Sequence, residues 1–199
     1  MTIRRKVATL TAAVAIATGG LLTAGAQATT SGGPDNVVWS KTTGTNAVDQ
    51  GASTAVGYYA GDDLTSTNVA RSESTDCTDC RTTAVAVQAV FTTNNPSTVE
   101  PTNAAIALNQ NCLRCTTFAF AYQYVVNTDG PFHLSHRARR QISGVRQRIY
   151  DVAHSDLPPD QMDAQLGGLA AEFKSDIDDD LARAHERHHG HVETDEHQG

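Results

Sequence analysis

Apolar and polar positions alternate with period two through the middle of the chain and change to a helical period towards its end. From Asn103, the residues Ala104, Ile106 and Leu108 alternate with Asn103, Ala105 and Ala107. Beyond Cys112-x-x-Cys115, the residues Phe118, Phe120, Tyr122, Tyr124 and Val126 alternate with Ala119, Ala121, Gln123 and Val125. Successive side chains of a strand point to opposite faces, so this stretch predicts strand, cysteine turn, strand. The same order occurs 35 residues earlier, with Asn68 on Asn103, Cys77 and Cys80 on Cys112 and Cys115, Ala84 and Ala86 on Ala119 and Ala121, and Gln88 on Gln123. A recurring piece of this length predicts stacked units that bury a shared core. One strand face is Ala, Ala, Gln, Val in both copies, while the other holds Val85, Val87, Ala89 and Phe91 in the first copy and the aromatic row in the second. Small residues kept unchanged imply a second backbone layer close against them, with the glutamines bonded to each other or to the main chain. Thr45-Asn46-Ala47-Val48 looks like the start of a further copy, but no cysteines follow it, so it is either a degenerate copy or an accident of sequence.

Past Gly130-Pro131 the stripe Leu134, Ala138, Ile142, Val145, Ile149, Val152 predicts one helix, and Met162, Leu166, Leu169, Phe173, Ile177, Leu181 a second. Ser135 is placed to cap the first; Ser155 or Asp156 with the proline pair opens the second. The short link implies an antiparallel hairpin. Basic residues on the first helix, such as Arg140 and Arg148, face acids on the second, such as Glu172 and Asp176. Gly167-Gly168 either weakens the second helix or marks a close crossing. The fold class is therefore α+β: a β-rich repeat module, as stacked hairpins or a short solenoid, with a C-terminal antiparallel helical hairpin. The expected divisions are a signal peptide at 1–28, a loop-rich region with short strands at 29–66, the module with two Cys-x-x-Cys units at 67–130, and the hairpin at 131–184. The remainder, 185–199, reads as a His-rich acidic tail without fixed structure.

Arg4, Arg5 and Lys6 before the apolar stretch Val7 to Ala26, closing on Ala26-Gln27-Ala28, have the form of a secretory leader with a small-residue cleavage site. Its removal would leave no membrane span and move the net charge from -7 to -10. Phosphate binding needs a basic face, so nucleic acid is excluded as an expected partner. Export into an oxidising compartment favours disulfides for an even number of cysteines.

These cysteine units, the basic first helix and a second helix opened by Ser155-Asp156-Leu157-Pro158 together resemble exported actinobacterial proteins. They also resemble the extracellular part of membrane proteins labelled peptide zinc metalloprotease. The resemblance covers Thr67 to Leu181. The activity in that label belongs to a membrane-embedded region with no counterpart in this sequence, so the resemblance implies an extracellular module and no peptidase.

Cys77, Cys80, Cys112 and Cys115 admit three readings: two disulfides, favoured within each motif because the partner in the same turn is always near; a zinc site of four thiolates; or thiol-disulfide exchange. His185-Glu186-Arg187-His188-His189 matches H-E-x-x-H, in which two histidines one helical turn apart bind zinc and the glutamate activates water. With His191 it forms a candidate metal set of His185, His189 and His191, in a stretch so rich in histidine that chance explains the match. No phosphate loop or nucleophile elbow occurs. The row Phe118, Phe120, Tyr122, Tyr124 is read as packing under the helices in preference to a ligand platform. The expected function is a secreted, non-enzymatic extracellular binding or structural protein without a cofactor, acting on a protein or cell-surface partner or on itself. The alternative is a metal-dependent role of the tail with Zn, peptide hydrolysis being its most demanding form.

Overall fold

The computed structural model describes residues 32–93, 95–128 and 130–195, with side chains as far as residue 186. The expected leader at 1–28 lies outside the described residues. Eight strands and two helices follow in order: β1 (Asn36–Thr45), β2 (Val48–Tyr59), β3 (Asp63–Leu64), β4 (Thr67–Thr78), β5 (Arg81–Thr92), β6 (Thr98–Val99), β7 (Thr102–Leu113), β8 (Thr116–Asn127), α1 (His136–Ala153) and α2 (Pro159–Asp195). The class is α+β, with a strand-rich module followed by two helices.

Strands β1, β4 and β7 form one open sheet, β2, β5 and β8 a second, and β3 pairs with β6. Every pairing is parallel. Strands joined by a cysteine turn lie in different sheets, which rules out the stacked-hairpin alternative. The module is thus three rungs, β1 with β2, β4 with β5, and β7 with β8, laid side by side.

The register seats Asn36 beside Asn68 beside Asn103 and Cys77 beside Cys112. This corrects the reading of residues 29–66 as loop-rich, because they contain strands of ten and twelve residues. It also corrects the alignment of Thr45-Asn46-Ala47-Val48 with Thr67-Asn68: Asn46 is instead a turn residue with φ 54, matching Asp79 at 57 and Arg114 at 55. The first rung escapes a hydrophobicity pattern because its inward positions are small and polar. Thr42 Oγ1 lies 3.0 Å from Ser74 Oγ and 2.7 Å from Thr82 Oγ1, so these buried hydroxyls satisfy one another.

Only Asp79 and Cys80 separate β4 from β5, so the two sheets are held close and small residues must fill the gap. Val38, Ala70, Ala84 and Ala86 form that inner layer, with Ala119 and Ala121 against it. Side-chain amides complete it. Asn36 Nδ2 donates to Asn68 Oδ1 at 2.9 Å, and Asn68 Nδ2 to Asn103 Oδ1 at 2.7 Å and to the carbonyl oxygens of Ala86 and Tyr122 at 3.1 Å. Gln123 Nε2 donates to Gln88 Oε1 at 2.9 Å, and Gln88 Nε2 to the Pro34 carbonyl at 2.6 Å. The glutamines are therefore bonded both to each other and to the main chain.

The opposite face of β5 presents Val85, Val87, Ala89 and Phe91 to Ile142, Val145 and Ile149 of α1 and Leu166, Phe173 and Ile177 of α2. Burying each such large side chain stabilises the fold by roughly 1.5–3 kcal/mol. Ser135 Oγ caps α1 by accepting from Ala138 N at 3.2 Å, and Asp180 accepts from Ser135 N at 2.8 Å and from Ser135 Oγ at 2.7 Å. Gln141 meets Asp176 and Arg148 meets Glu172 further along, so the helices run in opposite directions. Arg148–Glu172 is the ion pair joining them among the described residues and is about half exposed, so it adds little. Arg81 donates to the Leu157 carbonyl at 2.9 Å and ties the link between the helices to the start of β5. A Cβ on Gly167 or Gly168 would meet nothing within 4 Å, so no close crossing is made there. The backbone of α2 continues to Asp195, into the stretch 185–199 expected to lack fixed structure.

Three outcomes follow for urea unfolding. Asn68→Ala leaves buried amide partners unsatisfied and lowers stability by about 2–3 kcal/mol, whereas Asn103→Ala on the outer rung costs about 1 kcal/mol or less; equal effects would contradict the column. Gly167→Ala stabilises by about 0.5–1 kcal/mol. Burial acts to raise the Asp180 carboxyl, but the Ser135 backbone and hydroxyl donors and then Arg183 outweigh it and hold the group below its usual range. A carboxylate depressed in the folded state stabilises fully above its unfolded value of about 3.9 and loses that contribution as pH falls through the folded value. Asp180→Asn therefore costs about 1–2 kcal/mol at neutral pH, and the deficit relative to the parent protein closes in strong acid.

Candidate functional site

The parallel register places four sulfurs at one corner of the module. Cys77 lies near the end of β4 and Cys80 just before β5, with Asp79 between them in the left-handed region. The corresponding corner of the first rung carries Gly44 beside Cys77, and the Ala47 carbonyl accepts from Arg81 N at 2.9 Å, which puts Ala47 beside Cys80. Cys77 and Cys80 are joined by a disulfide within their motif, with Cα atoms 6.0 Å apart, and each is only 2% exposed. Cys112 and Cys115 are unbridged and half-buried. Where two internal bridges are expected from the sequence, the structure has one bridge and an adjacent dithiol.

The Sγ atoms of Cys77, Cys80 and Cys115 all lie within 4.8 Å of one another. Cys112 is hydrogen-bonded to Cys115 on the other side; burial pushes the Cys112 thiol up, and its Cys115 neighbour pushes it further. Cys115 Sγ donates to the Cys77 carbonyl at 3.5 Å and Cys112 Sγ to the Ser74 carbonyl at 3.3 Å. The turns themselves are cross-linked between rungs: Arg114 donates to Asp79 at 2.5 and 2.6 Å, and Asn111 Nδ2 to Asp76 Oδ1 at 2.9 Å. The guanidinium holds the Asp79 carboxyl below its usual range. Four sulfurs so grouped can exchange bonds or, fully reduced, present thiolates to a soft metal.

The other candidates are dispersed. His185 and Glu186 lie exposed on α2, at the far end of the helix from the link beside Arg81. The side chains of His189 and His191 lie outside the described residues. The aromatic row sits under the hairpin: Phe118, Phe120, Tyr122 and Tyr124 pack against the main core. Tyr124 donates to Asp178 at 2.5 Å, and Lys174, paired with the same carboxylate, stands 4.7 Å over the Tyr124 ring.

A feature without a signal in the sequence is the outer face of the β1-β4-β7 sheet. The helices cover the other sheet and leave this one open. Trp39, Arg71 and Ile106 form one row across it, and Lys41, Glu73 and Leu108 the next. Trp39 and Val37 are each 62% exposed, Leu108 40% and Ile106 38%. Arg71 lies 5.3 Å from the Trp39 ring centroid and pairs with Glu73. Trp39 falls in a short apolar stretch of otherwise polar sequence, and only knowledge of the neighbouring strands reveals that it joins a row.

No family model, curated protein or solved structure matches this chain. Among the described residues no helix is long and apolar enough to cross a membrane.

Proposed function

We propose that this chain is a secreted, non-enzymatic binding or structural protein whose module is a short flattened solenoid of three repeats. Its partner is a protein or cell-surface component that docks on the outer face of the β1-β4-β7 sheet. The observation that carries the reading is the uncovered sheet face on which Trp39, Ile106 and Leu108 stand exposed around Arg71 and Glu73. Exposed apolar groups gathered on one rigid sheet mark an interaction surface, and tryptophan is the residue type most enriched at the energetic centres of interfaces. The guanidinium of Arg71 over the indole and the Arg71–Glu73 pair supply a polar surround of the kind that rims such surfaces. Among the described residues the same sheet ends in β7, an edge of twelve residues on which a strand of a partner or of a second copy can add. The leader-like start, the disulfide and the acidic balance support an extracellular setting and argue against nucleic acid.

Trp39 is the single tryptophan of the chain, so its emission reports on this face alone. Mixing the purified protein with cell-envelope fractions should shift that emission to the blue and protect it from acrylamide. The same change on concentrating the protein alone would identify a second copy as the occupant. Emission that stays that of water-exposed indole under both conditions, with Trp39→Ala retained by the envelope fraction as well as the parent protein, contradicts the reading.

A further inference from the structure

The buried bridge and the half-buried dithiol are two ends of one chain of sulfurs. Cys77 and Cys80 are 2% exposed, so a reagent in solution has no direct approach to their bond, while Cys112 and Cys115 occupy the outer rung and are half-buried. Cys115 lies between, within 4.8 Å of both bridged sulfurs and hydrogen-bonded to Cys112. Two Cys-x-x-Cys turns stacked in register thus produce a linear order of bridge, attacking thiol and resolving thiol. Cys115 Sγ faces the Cys77 and Leu113 carbonyls and Cys112 Sγ the Ser74 carbonyl, acceptors that hold S–H groups in place beside the bridge. We infer that Cys112 and Cys115 form a disulfide relay through which the buried Cys77–Cys80 bond is made and broken, with small-molecule or protein dithiols and disulfides as the external partners.

The steps balance without a further reagent inside the protein. The Cys115 thiolate attacks Cys80 Sγ, its neighbour in the ladder; the Cys80–Cys115 bond forms, the Cys77–Cys80 bond breaks, and Cys77 leaves as a thiolate that takes a proton. The Cys112 thiolate then attacks Cys115 Sγ, forming Cys112–Cys115 and releasing Cys80, which is protonated in turn. Two electrons have moved from the outer pair to the inner pair. An external dithiol reduces the outer bond and becomes a disulfide itself. Run backwards, an external disulfide oxidises Cys112 and Cys115, and exchange passes the bond inwards to Cys77 and Cys80. Attack requires thiolate, so exchange accelerates as pH rises through the thiol range.

Removing the resolving thiol should trap the intermediate. The full-length Cys112→Ser protein, incubated oxidised at mildly alkaline pH, acid-quenched and digested without reductant, is expected to contain peptides linking Cys115 to Cys80 or Cys77. Finding Cys115 only as a free thiol beside an intact Cys77–Cys80 link overturns the proposal. In the folded Cys112→Ser/Cys115→Ser protein, reduction of Cys77–Cys80 by dithiothreitol should slow on the order of tenfold or more relative to the parent, and an unchanged rate overturns it equally. Should the serine variants not fold, the parent protein decides the matter. During partial reduction in native buffer, links between the two motifs and within the outer one should appear and increase with pH, and a Cys77–Cys80 link that disappears without either contradicts the relay.

Discussion

The shortness of the turn between β4 and β5 governs the rest of this structure. Two residues carry the chain from one sheet to the other, and Asp79 accepts a left-handed backbone so that they suffice. The sheets are then too close for large side chains, and the inner layer consists of Ala70, Ala84, Ala86 and short polar groups. Such a layer contributes little hydrophobic stabilisation, since alanine removes little area from water. Most apolar burial is transferred to the far side of β5, where Val85, Val87 and Phe91 join one core with residues of both helices. The module and the helix pair thus depend on each other: the thin inner layer sets the geometry, and the outer layer supplies the apolar core.

Burying polar groups in the thin layer is tolerable because the parallel register repeats them. Asn36 and Asn68 each offer Nδ2 to the Oδ1 of the next asparagine, Asn103 offers its own to the Ala121 carbonyl, and Asn68 in the centre is fully buried. The hydroxyls of Thr42, Ser74 and Thr82 do the same among themselves. A buried amide or hydroxyl is costly only when unpaired. Among the described residues the exceptions are Ser72 Oγ on β4 and, on the helices, Gln141 Oε1, Asp176 Oδ2 and one Arg183 nitrogen, which make no hydrogen bond; burial, followed by Glu172, raises the Asp176 carboxyl.

How much of this is legible in the sequence depends on what each pattern encodes. Period two reports which face a side chain occupies, so the small face with its glutamines and the apolar face under the helices are both visible in advance. It does not report which strand lies alongside, and the parallel pairing between rungs is set by tertiary structure. The helical stripes and the Ser135 cap are clear because long apolar residues at helical spacing have few alternative readings. The first rung is obscured because Ser40, Thr42, Gly51 and Ser53 carry the composition of a loop, and only their neighbours on β4 and β5 make them a core. The cysteine corner is half legible: spacing implies the Cys77–Cys80 bridge, but adjacency of the motifs, which sets Cys115 against it, is tertiary. Trp39 carried no signal, since a lone exposed aromatic acquires meaning only from the row it shares.

The roof over β2, β5 and β8 has a further consequence for the length of the module. Strands in a sheet stand about 4.8 Å apart, so three span about 10 Å between the outer axes. Two packed helices have axes about 8–10 Å apart, nearly the same width. With α1 resting over β2 and β5 and α2 over β8, the pair acts as a gauge of copy number. Inserting one more stretch of 35 residues would extend the ladder but leave the apolar strand face of the added piece in water, so a lengthened variant would need a third helix or an added strand polar on both sides.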